Sequence, residues 1–416
     1  MSRIHCTASA LALVVAAWGA PAFSQEVDAE AFGTALKDFM SSQSMSVAYD
    51  GATTDGADVV FTNFTIGPDV PGGVEVADTD MRFTFDEVRF QGVEGTEGGG
   101  YRVAMVGRES VEGEFTNPED EEGKDQTIGY TIGAWGIENL VLPGADEEGT
   151  RAALGLFYDR MFITDMTGSV DGDQVMQLAS AESTISGEGP YTITTDIDGV
   201  TVDMTTFTND DIKAWVEGTG YGSIAGAYES SATWDASGGD LTADVNRLTL
   251  DGMGQFDLAL AFGGYTAAVA KSLSEMSEQM QNTDQQAQQA ASMQMLGLLS
   301  QLSFGEFTLG YRDGGMADKL LEYYAQNDGK TKEQLVQETT AVLPLVLGQL
   351  QTPELQAQIQ EAVTSFLNDP KSFTVSLKPD APVPAPVLMG AAATSPSQLA
   401  SALNAQVRAN EAGMME

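Results

Sequence analysis

The sequence predicts an α+β protein: an elongated, curved antiparallel β-sheet built from degenerate bulged-strand repeats, with packed helices and a helical C-terminal region. Three observations predict it. Short runs that alternate apolar and polar residues fill the chain from about 46 to 260, and turn-forming Gly, Asn and Asp interrupt them. One apolar spacing recurs within these runs. From residue 264 onward, apolar residues recur every three or four positions, as on one face of a helix.

Residues 1–24 have the features of a secretory signal peptide. Arg3 precedes an apolar core from Ala10 to Trp18, and Ala22 and Ser24 satisfy the small-x-small rule, which predicts cleavage after Ser24. Cleavage after Ala22 is the alternative. The core is shorter than the roughly 18 apolar residues of a membrane anchor. We therefore expect an exported, periplasmic protein whose mature chain has no transmembrane segment.

Residues 25–45 are predicted to form an amphipathic N-terminal helix. Val27, Phe32, Leu36 and Phe39 lie near one stripe of it, so this helix is expected to pack against the sheet. The β-rich repeat body follows at 46–263. Two short helices are expected within it, at "EEGTRAALGLFYDR" and "NDDIKAWVEG", the second capped by Asn209 or Asp210.

A spacing of apolar residues at steps of three and then two recurs six times. It occurs at Phe61, Phe64 and Ile66; Phe85, Val88 and Phe90; Ile137, Leu140 and Leu142; Ile197, Val200 and Val202; Val245, Leu248 and Leu250; and Phe304, Phe307 and Leu309. A strand keeps one face at a period of two, so the step of three requires an extra residue, as in a β-bulge. The residues in the gaps are mostly turn formers. We interpret the pattern as a degenerate repeat whose units stack into one sheet.

Residues 264–302 are predicted to be helical and Gln-rich. Val269, Leu273, Met276 and Met280 share a helix face before the Gln-rich stretch begins. Methionine adapts to irregular apolar shapes, so these side chains are candidates for contact with an apolar ligand, with ordinary core packing as the alternative. The candidate lining residues are Met276, Met280, Phe304, Phe307 and Leu309.

Residues 303–416 are predicted to form a C-terminal α+β region. After a strand and a helix at "ADKLLEYYAQ", Thr331 and Gln334 form a capping box, and Thr352 with Pro353 starts another helix. "SFTVSLKP" is predicted to be a strand and "APVPAP" extended. "SPSQLASALN" is predicted to form a short helix before a polar tail.

The C-terminal region, including "DPKSFTVSLKPDAPVPAPVLM" and "SALNAQVRAN", resembles uncharacterised exported proteins of alphaproteobacteria over about 115 residues. The bulged strand unit is similar to the short repeats of AsmA-like envelope proteins. That similarity implies a place in the cell envelope and a role in lipid handling. Neither resemblance brings catalytic residues with it.

His5 and Cys6 are the only histidine and the only cysteine among 416 residues. Their loss with the signal peptide would leave the mature chain without imidazole or thiol groups. This excludes disulfides, Ser-His-Asp and Cys nucleophiles, and His- or Cys-based zinc sites. We therefore predict a non-enzymatic protein with no catalytic residue, no metal site and no cofactor.

The chain is strongly acidic, with 61 Asp and Glu against 19 Lys and Arg and a net charge of -42. Such a surface repels phosphate backbones, so nucleic acid is not expected as a partner. Acidic stretches at 117–125, Asp171 to Asp173 and Asn209 to Asp211 offer oxygen ligands, although none matches the twelve-residue calcium loop.

The leading functional hypothesis is a soluble periplasmic envelope protein that binds or handles lipid acyl chains in a groove of the sheet. The candidate partners are a lipid or an envelope protein, and the oligomeric state stays open. A structural or interaction module with calcium-tuned acidic loops is the alternative. A third reading is a secreted hydrolase, with two carboxylates in a cleft beside Trp135, Trp215 or Trp234.

Overall fold

The computed structural model describes residues 27–68, 83–117, 126–144, 151–207, 209–280, 294–350, 352–394 and 396–411. These residues form an α+β fold around one open antiparallel sheet of sixteen strands. Each long strand pairs with the next one along the chain, and the sheet runs from the β-rich body into the C-terminal region without interruption. The predicted signal peptide lies outside the described residues.

The strands are β1 (Met45–Ala48), β2 (Gly51–Asp55), β3 (Asp58–Pro68), β4 (Phe83–Gly95), β5 (Tyr101–Asn117), β6 (Gln126–Leu142), β7 (Arg160–Val170), β8 (Asp173–Ser186), β9 (Tyr191–Asp203), β10 (Ser223–Trp234), β11 (Leu241–Leu250), β12 (Gly254–Gly263), β13 (Ser303–Asp313), β14 (Ser372–Leu377), β15 (Val383–Pro384) and β16 (Ala405–Ala409). β1 and β2 both pair with β3, β15 pairs with β13, and β16 pairs with β14.

The helices are α1 (Ala29–Ser42), α2 (Asp210–Thr219), α3 (Ala267–Met280), α4 with its described part at 294–299, α5 (Met316–Asn327), α6 (Lys332–Leu347), α7 (Pro353–Asn368), α8 (Ala385–Thr394) and α9 (Pro396–Ala402). Most of them follow β12, as the change of sequence pattern near residue 264 predicts.

Helix α1 covers the largest hydrophobic cluster of the described chain. Asp28 caps it by accepting hydrogen bonds from the amides of Glu30 and Ala31. Phe32 is fully buried and Leu36 nearly so, which confirms the predicted apolar stripe. The ring of Phe32 lies 5.3 Å from that of Phe90 on β4. The helix therefore fixes which face of β3 to β6 is the interior.

Bulges at the predicted steps of three keep apolar side chains on this interior face. Phe61 and Phe64 on β3 pair with Val88 and Phe85 on β4. Both strands therefore have their step of three residues at the same place, and the pairing stays in register on either side of it. Asn63, between the two phenylalanines, has a φ of 49°. This left-handed conformation is tolerated best by Asn, Asp and Gly, which explains why such residues fill the gaps.

The same device recurs in the second half of the sheet. Ile197 and Val200, three residues apart on β9, face Tyr228 and Gly226, two apart on β10, and Gly199 between them has a φ of 65°. Phe304 and Phe307 on β13 likewise face Phe262 and Leu260 on β12. The predicted bulged strand is therefore present in β9 and β13, while internal repetition of the sequence remains a prediction.

One occurrence of the pattern departs from this rule. Leu248 pairs with Tyr228 and Val245 pairs with Ser231, with regular pairing between them, so Val245 and Leu248 lie on opposite faces of β11. The extra residue is Asp244, which lies before Val245 instead of between Val245 and Leu248. The predicted common face of Val245 and Leu248 is therefore wrong.

The predicted helices and loops differ from the structure in three places. The stretch near residue 152 forms only a 3-10 turn, Ala152–Leu154, because Gly155 follows with a φ of 86°. Helix α8 forms at Ala385–Thr394, where no helix was predicted, and it begins within the segment "APVPAP" that was predicted to be extended. The predicted polar tail contains the edge strand β16. The capping box of Thr331 and Gln334 is confirmed.

Candidate functional site

An apolar groove of about 500 Å³ lies on the sheet between β3 and β9. Its lining residues are Phe64, Ile66, Phe83, Phe85, Ile132, Trp135, Gly136, Ile137, Met161, Phe162, Ile163, Ala181, Glu182, Ser183, Thr195 and Ile197. Most are aliphatic or aromatic, and none is basic. A pocket of this volume and chemistry falls within the usual range of small-molecule sites. It is the candidate functional site.

Four lining residues belong to a continuous apolar row across the sheet. Partners in register on antiparallel strands share a face, so the pairing of each strand with the next defines the row. From β6 to β16 its members are Trp135, Ile163, Ala181, Ile197, Tyr228, Leu248, Phe256, Tyr311, Phe373 and Ala409. We call this the apolar row, and the face that carries it the groove face.

The neighbouring row on the opposite face is largely polar and charged. Successive residues of a strand point to opposite faces, so each residue beside a member of the apolar row belongs to this second row. Its members are Gly136, Phe162, Glu182, Asp196, Glu229, Arg247, Asp257, Gly310, Thr374 and Arg408. Charged side chains therefore concentrate in this row from β8 to β12, although Gly136, Phe162 and Glu182 also border the groove.

Two arginines bind the acidic side chains of this opposite face. Arg160 donates to Glu182 through Nη2 and to Glu138 through Nη1, both at 2.7 Å. These hydrogen bonds, first that to Glu182, raise the pKa of Arg160. Arg247 bridges Asp257 and Glu229 in the same way. Because Glu182 is held by Arg160, the one carboxylate among the lining residues has a protein partner.

Trp135 contributes the only buried side-chain polar atom that lacks a hydrogen-bond partner in the described part of the chain, its indole Nε1. Its ring packs against Phe85 with centroids 5.7 Å apart. An unpaired buried N–H group costs free energy, and such groups are rare in native proteins. The Trp135 indole is therefore packed among apolar side chains without a hydrogen-bond acceptor from the described residues.

The predicted lining residues lie outside this groove. Met276 is fully buried in a small cluster with Leu298, between α3 and α4. The side chain of Met280 lies outside the described part of the chain. Phe304, Phe307 and Leu309 pair with β12 residues of the groove face, beyond the groove itself. Their contact with a ligand stays a prediction.

Sequence reasoning missed the groove residues on β6 to β8. Ile137 and Ile197 belonged to the recurring spacing, but Met161, Ile163 and Ala181 matched no motif. They reach one site only because six strands come into register. The signal that was available is the run of three apolar residues, Met161 to Ile163, at the start of β7.

Several residues of the two alternative hypotheses make structural contacts in the described chain. Asn209 caps α2, and Asp171 accepts a hydrogen bond from the amide of Thr127. Residues 118–125 lie outside the described residues. Trp135 is in the groove, Trp215 stacks on Tyr221, and Trp234 packs with Tyr191, so the three tryptophans line no common cleft.

Within the described ranges, no three His, Cys, Asp or Glu side chains stand close enough together to hold a metal ion. Among the helices described, none is both long enough and apolar enough to cross a membrane.

A family model described as an uncharacterized protein matches residues 247–410, which extend from β11 to just past β16. No curated protein sequence matches the chain. The C-terminal part of the chain, including half of the apolar row, is thus similar to an uncharacterized family.

Proposed function

We propose that this protein is an exported, periplasmic binding protein for acyl lipids and that the groove holds an acyl chain. The observation that carries the proposal is the groove itself: about 500 Å³ of apolar lining on one face of an open sheet. The resemblance of the bulged strands to AsmA-like envelope proteins, a group associated with lipid handling, supports the same reading.

The energetics favour a long apolar ligand. Burying about a dozen methylene groups at about 0.8 kcal/mol each contributes roughly 10 kcal/mol, before the cost of ordering the chain is subtracted. A charged ligand gains no comparable compensation, because the lining residues include no basic side chain and Glu182 is already held by Arg160. An alkyl chain therefore matches the groove better than a polar metabolite does.

The proposal assigns binding and no catalysis. An acyl chain between Met161, Ile163 and Ile197 would meet neither a nucleophile nor a proton donor from these side chains. Cleavage of the predicted signal peptide would leave a mature chain without histidine or cysteine. That composition agrees with a binding function.

Native mass spectrometry of protein purified gently from the periplasm tests the proposal. We expect a stoichiometric adduct that denaturation releases as an acyl lipid. A known lipid carrier purified in parallel controls for losses during preparation. An adduct-free mass, under conditions where the control carrier keeps its lipid, would contradict the proposal.

A further inference from the structure

We infer that the ligand is an amphiphile with an uncharged, hydroxyl-bearing headgroup, whose chain lies along the apolar row beyond the groove. This inference rests on the proposed function and specifies its ligand. Two observations carry it: the apolar row continues past the groove, and a row of neutral polar side chains runs beside it on the same face.

The apolar row continues from the groove through Tyr228, Leu248 and Phe256. Leu248 is 38% exposed, so its side chain is accessible. Tyr311 is the next member of the row, and Phe366 of α7 covers it with the two ring centroids 6.0 Å apart. At about 4.8 Å per strand, the six steps from β6 to β12 span about 29 Å.

The two ends of the strands on this face are covered by other groups. Tyr191 and Trp234 form a cluster with Leu156 and with Ala270 of α3. At the opposite strand ends, Tyr311 donates a hydrogen bond to the carbonyl of Met253 or to Asp313. Leu248 on the apolar row and Leu309, two residues from Tyr311 on the same face, stay exposed between these clusters. An exposed apolar surface that continues a groove fits an alkyl chain.

A row of polar side chains, the polar row, lies beside the apolar row on the same face. Each of its members is two positions away from a member of the apolar row on the same strand. Its members, on β8 to β11, are Ser183, Thr195, Ser230 and Asn246. All four are half-buried. Thr195 donates to Ser183 at 3.3 Å, and Tyr228 donates to the amide oxygen of Asn246 at 3.4 Å. The hydroxyl of Ser230 makes no hydrogen bond to any other described residue.

These side chains fit an uncharged headgroup. Hydroxyl and amide groups both donate and accept, which matches a glycerol or sugar hydroxyl, and they carry no charge to neutralise an anion. Arg108 on β5 pairs in register with Trp135, and it donates a hydrogen bond from Nη1 to the carbonyl of Glu87. The net charge of -42 further disfavours anionic amphiphiles.

Displacement of a fluorescent acyl probe tests this inference with two ligands of the same chain length, at neutral pH and below their micelle concentrations. Monolaurin carries an uncharged glycerol headgroup, and laurate carries a carboxylate. We expect monolaurin to displace the probe at a concentration about tenfold lower than laurate does, which corresponds to about 1.4 kcal/mol. Ser230→Leu should reduce this preference while leaving laurate unchanged.

Leu248→Glu tests the course of the chain. We expect it to weaken monolaurin binding about tenfold or more, because it places a carboxylate on the apolar row. Val245→Glu is the matched control, since Val245 is also 38% exposed but lies on the opposite face of the same strand. It should leave binding unchanged.

The outcomes separate the two levels of the proposal. Failure of both ligands to displace the probe, in a protein that does not retain lipid, would overturn the proposed function. Tighter binding of laurate, lost in Arg108→Gln, would overturn the uncharged headgroup and leave acyl binding standing. Equal binding by Leu248→Glu and Val245→Glu would overturn the extension along the row.

Discussion

At the scale of single residues, the register decides which apolar side chains belong to the groove face. Leu248 and Val245 are equally exposed and only three residues apart, yet only Leu248 continues the apolar row. Val245 and Leu248 follow the apolar spacing that recurs on the other strands, so the sequence predicts that they share one face. The extra residue, Asp244, lies before Val245 instead, and a slip of one residue exchanges the faces of a strand.

Asp235 shows how one carboxylate supports the turn after β10. It accepts hydrogen bonds from the amides of Gly238 and Ser237 and from the hydroxyl of Ser237. These bonds, first that from Gly238, lower the pKa of Asp235. The ionised form is therefore favoured in the folded protein.

Asp235→Ala should lower the melting temperature at neutral pH. A lowered folded pKa means that the stabilisation is present above the unfolded value of about 3.9 and is lost as the pH falls through the folded pKa. The difference from the wild type should therefore shrink in strongly acidic solution. Thermal melts across this range measure it. Asp244→Ala, at an exposed carboxylate without a hydrogen bond to other described residues, is the control, and an Asp235 effect no larger than its own would contradict this account.

At the scale of elements, the sequence predicts that the strands contain bulges. It does not predict how the bulges of neighbouring strands align with each other. Asn63 and Asn139 occupy predicted gaps and have φ values of 49° and 51°. Residue type alone indicates such positions, because the left-handed region favours Asn and Gly. That the steps on β3 and β4 lie opposite each other depends on pairing between strands more than twenty residues apart, which local pattern does not encode.

Asn139 offers a direct test of the bulge. Asn139→Val should lower the free energy of unfolding by about 1–3 kcal/mol, because a β-branched residue is strained at this φ. Asn139→Gly removes the same hydrogen bond from Nδ2 to Asp159 but relieves the backbone, so its loss should be smaller. Urea unfolding of both variants measures the difference. Equal destabilisation would show that the hydrogen bond, and not the backbone, matters at this position.

Helices were predictable where the sequence carries a start signal. Thr331 with Gln334 and Asn209 before α2 marked their helices correctly. Helix α8 begins within "APVPAP", where proline suggests extended chain, and its residues are apolar on all sides. Helical periodicity is absent from such a segment, so its structure depends on its surroundings.

At the scale of the whole molecule, one sheet carries both the acidity and the apolar site. Arg160, Arg247 and their carboxylate partners lie opposite the apolar row, so these ion pairs and the row occupy different faces of the sheet. The α+β class and the antiparallel sheet follow from alternation in the sequence. The groove does not, because its residues are spread from Phe64 to Ile197 and meet only through six strand registers.

Titration of a fluorescent dodecanoyl probe into the wild type and Met161→Glu tests whether the groove binds an acyl chain. Met161 lines the groove and is 42% exposed, so a carboxylate there should leave the fold intact. We predict saturable binding to the wild type and to Val245→Glu, with affinity at least about tenfold lower for Met161→Glu. Equal binding by all three proteins, or none by the wild type after its own lipid is extracted, would contradict the account.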